Sequence, residues 1–221
     1  MNGLIEVLLL GFLLCSFMLA GSSRLMHCIK LVATQGLLLG ILPLAVAKVD
    51  GGSLGGEALF VAFINVAVKG AALPYMLQKA MQKADVRREL EPLLGYAASG
   101  LVALILIAVS FWFAQQLNYS EQVVSRLAAP VAFSGILIGL FLIVARRKAL
   151  TQVIGFLCFE NSIALFGAGM MLHYGALIEL GILLDVFVMV FVMGIAVFQI
   201  KQEFQHINAD LLNTLKDKPR K

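Results

Sequence analysis

An all-α, polytopic membrane fold of about seven helices is what this chain predicts, from three observations. Of its 221 residues 61% are hydrophobic and 14% charged, with a mean hydropathy of +0.94; soluble domains carry roughly 25% charged residues. The apolar residues fall in runs of about 20, the length that crosses hydrocarbon as an α-helix. The Lys and Arg residues gather in alternate connections, the signature of orientation in a bilayer.

Seven runs meet the length: Leu4 to Gly21, Ile29 to Ala47, Ala58 to Met76, Leu93 to Phe113, Leu127 to Ala145, Ala149 to Leu172, and Ala176 to Ile200. Turn-forming or charged stretches separate them. Lys48 to Glu57 is rich in glycine and reads as a flexible loop, Gln78 to Pro92 is charged, Gln115 to Arg126 is polar, and Arg146-Arg147-Lys148 is a tight basic turn. The first run is not a secretory signal, because Glu6 and no Lys or Arg precedes Leu8, whereas a signal peptide has a positive leading segment. It reads as an uncleaved helix.

The basic residues orient the chain. Arg24 and Lys30, Lys79 to Arg88, Arg146 to Lys148, and Lys201 to Lys221 all fall on one side, against Lys48 and Arg126 on the other. Basic residues stay in the cytoplasm, so the expected topology is N-terminus out, C-terminus in. Three parts follow: a four-helix region over 1–126, a three-helix region over 127–200, and a cytoplasmic amphipathic tail over 201–221. In the tail Leu211, Leu212 and Leu215 recur at helical spacing, a face suited to docking on a partner or lying on lipid.

Several classes of chemistry are excluded. The net charge of +4 reports loop asymmetry, not nucleic-acid binding. Cys15, Cys28 and Cys158 are too few for an iron–sulfur cluster, which takes four thiolates. No metal-ligand cluster, phosphate-binding glycine loop or nucleophilic triad is present, so no catalytic centre, metal or cofactor is expected in this chain.

What remains is a small set of ionisable residues inside the spans: Lys69, Glu160, Glu179 and Asp185. A charge at mid-membrane costs ~2.5–3.5 kcal/mol on insertion scales and by default marks function. A rise of ~1.5 Å per residue places Lys69, Glu160 and Asp185 near mid-depth and Glu179 near the outer boundary. Hydrocarbon disfavours the charged form of a carboxyl and of an ammonium alike, and each responds to the other's charge. Groups so poised suit proton transfer; the competing reading is a fixed ion pair that only joins helices. Asn65 precedes Lys69 by one turn. Pro74 follows it and has no N–H to donate back along the helix, so local distortion is expected there.

Two resemblances rest on these residues. The stretch Ala145-Arg146-Arg147-Lys148 followed by Ile154-Gly155-Phe156-Leu157-Cys158-Phe159-Glu160-Asn161 is similar to the small three-helix subunit of respiratory complex I, in which a basic turn precedes a helix with a mid-membrane Glu. The second acid is here Asp185, not Glu. Over about its full length the chain more closely resembles component E of hydrogenase-4, through Lys69 before Pro74, Glu160-Asn161, Glu179-Leu180-Gly181 with Asp185, and the tail from Asn208 to Lys216. The resemblance implies a membrane-arm subunit of a group 4 nickel–iron hydrogenase or formate hydrogenlyase-type complex in the bacterial inner membrane. Its partners would be antiporter-like and other membrane subunits, together with a hydrophilic iron–sulfur and nickel–iron arm. Glu160 would carry protons, Asp185 would exchange with it, Lys69 would tune or extend the path, and Glu179 would serve the outer side. The alternatives are a subunit of a multisubunit cation/proton antiporter, a structural scaffold and a free-standing transporter.

Overall fold

The computed structural model describes residues 2–49, 56–83, 94–117, 124–147, 149–169 and 194. Regular structure among them is helical throughout. Helix α1 spans Asn2–Gly21, α2 Leu25–Val49, α5 Tyr96–Gln115, α6 Ala128–Ala145 and α7 Ala149–Gly169. Between α2 and α5 a single helical run changes character twice: α3 over Gly56–Ile64, a π-helical segment over Asn65–Ala72, and α4 over Leu73–Lys83. Among the described residues five helices are long and apolar enough to cross a membrane: α1, α2, α5, α6 and α7. The third predicted span is this composite run, in which no one segment reaches that length. The seventh predicted span lies outside the described residues except for Gly194, as do Glu179, Asp185 and the tail with Leu211, Leu212 and Leu215.

The start of α2 differs from the sequence reading for a physical reason. Helix α2 begins four residues before the predicted Ile29, because Met26, His27 and Cys28 continue the helix through the interface once Arg24 has turned the chain. It also carries Pro43 within its length. Helix α1 is an integral part of the bundle: Leu9, Phe12 and Leu19 are each buried to within 2%.

The helices meet where side chains are small. Without a hydrophobic drive between helices in lipid, close van der Waals packing supplies association, and Gly-x-x-x-Gly faces allow it. Two such faces lie among the described residues. On α6, Gly135 and Gly139 face α7: a methyl group at Gly139 would come within 2.6 Å of the Phe159 amide nitrogen, and one at Gly155 on α7 would meet Leu142 at 2.9 Å. Among the described residues the α6–α7 hairpin is the most extensive pairing, closed at its far end by the Val124 N–H donating to the Gly169 carbonyl at 3.2 Å. On α2, Gly36 and Gly40 receive the composite run, and a methyl at Gly36 would lie 2.6 Å from the Lys69 carbonyl carbon.

Helices α1, α2, α6 and α7 make the inner group, with α5 against α1 and α6 and the composite run against α2. Helix α5 packs through Ser99, Ala103, Ser110 and Ala114, its buried residues. Its other faces expose Leu101, Leu104, Ile105 and Trp112. A helix apolar all round, with its large residues outward, is built for hydrocarbon.

Arg146, the first residue of the tight basic turn, is 4% exposed. It donates to the Ala20 carbonyl at the end of α1 at 2.9 Å, and its guanidinium carbon lies 5.1 Å from the Tyr96 ring centroid, a cation–π distance. It therefore ties together the end of α6, the end of α1 and the start of α5. That gathers Arg24, Lys30, Lys79, Arg146 and Arg147 at one end of the bundle.

Candidate functional site: a buried lysine–glutamate pair

Lys69 and Glu160 come from distant parts of the chain and meet inside the bundle. Lys69 Nζ donates to Glu160 Oε1 at 2.8 Å, the length of a charge-assisted hydrogen bond. Both side chains are almost wholly enclosed, at 4% and 3% exposure. Glu160 is in the middle of α7, eleven residues after Ala149 and so about 16 Å from its start. The sequence left open whether Lys69 reaches the acid, and the structure brings the two together.

The local backbone explains how. Lys69 belongs to the π-helical segment, where wider turns replace the α pattern; such segments concentrate at functional sites. Pro74 lies two residues past the end of that segment, and with no N–H it cannot sustain an unbroken ladder behind it. Lys69 is buried while Asn65, expected on the same face, is only half-buried. The Gly36 notch lets the Lys69 backbone press against α2, so the long side chain can extend past α2 toward α7.

A second buried polar group, missed in the sequence, reaches α7 two residues from Glu160. Gln35, next to Gly36, is fully buried. Its Nε2 donates to Ser16 Oγ on α1 at 2.9 Å and to the Cys158 sulfur on α7 at 3.7 Å. Ser16 in turn donates to the Phe12 carbonyl at 3.0 Å. Cys158 is two residues from Glu160, and Asn161 follows Glu160 directly. Among the described residues Glu160 Oε2, Gln35 Oε1 and Asn161 Nδ2 are buried without a hydrogen-bond partner. Buried polar atoms of this kind are normally satisfied by partners or ordered water. The signal was present: a Gln within an apolar span is as unusual as a charge, though cheaper.

The Gln35 bonds supply modest stability. Gln35→Leu keeps volume and leaves Ser16 its own bond to Phe12, so unfolding of the purified protein in detergent should show a loss of about 0.5–1.5 kcal/mol. A loss several times larger would mean that Gln35 carries more of the bundle than these bonds indicate.

Among the described residues no three His, Cys, Asp or Glu side chains stand close enough to hold a metal ion. The chemistry on offer is proton exchange between a carboxylate and an ammonium in a water-poor interior. Helices of membrane-crossing length around a buried ion pair define the class: a polytopic α-helical protein with ionisable groups at its centre.

The chain is 32% identical over 209 residues to the uncharacterized protein Rv0085 of Mycobacterium tuberculosis, a match covering 94% of this chain and 93% of that protein. It belongs to the same family. No family model matches the chain, and no solved structure does.

Proposed function

We propose that this chain is a membrane-arm subunit, without redox chemistry of its own, of a hydrogenase-type complex related to complex I, and that it supports proton translocation driven by electron transfer in a partner arm. The observation that carries this reading is the buried Lys69–Glu160 pair. A proton delivered to Glu160 neutralises the carboxylate and frees the Lys69 ammonium from its partner; as the proton moves on, the pair closes again. A site with two such states gives a neighbouring subunit something to couple to, and the π-helical segment gives Lys69 room to move.

In this reading the chain has seven spans in the bacterial inner membrane, N-terminus out and C-terminus in. Asp185 exchanges protons with Glu160, Glu179 serves the outer side, and Leu211, Leu212 and Leu215 dock the tail on a neighbouring subunit. The gathering of Arg24, Lys30, Lys79, Arg146 and Arg147 at one end supports that orientation. Iron–sulfur and nickel–iron centres belong to other subunits.

Glu160→Gln tests the reading. It keeps shape and hydrogen bonding but cannot carry the charge, so proton movement into membrane vesicles should fall by ~10-fold or more, the effect expected on loss of a proton-transfer group, while the complex still assembles. Undiminished proton movement at full assembly rejects the role.

A scaffold is the second reading, favoured by the close seating of the Lys69 backbone on Gly36. Charge removal would then harm assembly alone.

A further inference from the structure

An open cleft of about 380 Å³ separates α2 from the run that carries Lys69; its walls include Lys30, Ala33, Ala71, Pro74, Tyr75 and Gln78. We propose that this cleft is an aqueous vestibule through which water and protons reach the Lys69–Glu160 pair from the basic end of the bundle. The inference rests on reading that pair as a proton-exchange site.

Three features point to water. The mouth carries polar groups beside the apolar Met26 and Ile29: Lys30 is exposed, Tyr75 is 66% exposed and Gln78 is half-buried. Inward, the walls turn small, with Ala33 on α2 and Ala71 and Pro74 opposite, so the two helices are held apart where larger side chains would close the gap. The inner end also adjoins the backbone that carries the lysine: Ala33 is one turn before Gly36, against which the Lys69 backbone rests. A polar, roomy cleft meets the conditions for holding water. It opens at the end marked by Arg24, Lys79 and Arg146, which is the cytoplasmic face in the proposed topology.

Cysteine accessibility tests the vestibule directly. Cys15, Cys28 and Cys158 are buried, so the natural chain gives a low background with a membrane-impermeant maleimide. Ala33→Cys and Ala71→Cys are small changes that leave the fold intact. Leu104→Cys is the control: it is exposed on α5 and eight residues from the helix start at the same end, as Ala33 is on α2. Because the thiolate is the reacting species and forms in water, Ala33→Cys and Ala71→Cys should react about tenfold or more faster than Leu104→Cys. Rates no greater than that of Leu104→Cys would overturn the proposal and assign the cleft to lipid. The labelling needs no turnover, so its failure is distinct from failure of the proton-exchange reading, which Glu160→Gln tests.

Discussion

Lys69→Met should lower the stability of the purified protein by about 3–5 kcal/mol, and Glu160→Leu by a similar amount, while the double variant should recover most of the loss. The physical reason is asymmetry. Paired at 2.8 Å and almost wholly enclosed, the two charges offset each other's desolvation. Removing one leaves the other stranded with neither water nor counter-charge, and that stranded charge carries the penalty. Removing both returns the site to apolar packing, which is often neutral or better. Thermal unfolding in detergent measures the three variants against the natural chain. The double variant also separates the two functional readings: in a scaffold, restored stability restores the activity of the complex, whereas in a proton path the stable double variant stays inactive. A double variant no more stable than either single one would mean that the pair is not the unit the geometry suggests.

Gly36→Leu should have the next largest effect. Even the first carbon of a side chain there would lie 2.6 Å from the Lys69 carbonyl carbon and 2.8 Å from its carbonyl oxygen. These are backbone atoms, so no rotamer change relieves the clash, and the π-helical segment must move off α2. Overpacking of this kind costs typically 1–3 kcal/mol, and here the upper end is expected. Displacement also withdraws Lys69 from Glu160, so proton movement in vesicles should fall even where the protein still assembles. Gly11→Ala is the matched control: its nearest neighbour is the Leu38 side chain at an ordinary 3.6 Å, and both stability and activity should hold. Equal behaviour of the two variants would show that the contact between α2 and the π-helical segment does not position the lysine.

The sequence was most legible where a single physical rule acts alone. Apolar run length marked α1, α2, α5, α6 and α7, because nothing but a helix satisfies a backbone in hydrocarbon. Lys69 and Glu160 stood out because a charge in such a run is costly. Their meeting was not legible, because it depends on contacts between spans far apart in the chain. The route to it passes through Gly36, whose role appears only when the Gly36–Gly40 spacing is read as a packing face. Gln35 escaped notice because it carries no charge, although its burial against Ser16 and Cys158 makes it part of the same polar interior. Arg146 was legible as basic but not as buried; its position beside Arg147, which is exposed, gave no sign that one of the two would turn inward to cap α1. The break of the third span was foreshadowed by Pro74, but its π-helical form was not, since several distortions satisfy the same missing N–H.

The wide turn at Asn65–Ala72 has a consequence for comparing relatives. A π-helical turn amounts to an α-helix holding an additional residue, so a related chain can lose one residue there and close to a plain α ladder without unfolding either flank. Single-residue gaps in alignments should therefore collect between positions 65 and 72. Their presence or absence sorts relatives by whether the lysine side chain is turned inward on a widened coil or carried on a regular one, which is a structural difference written in chain length.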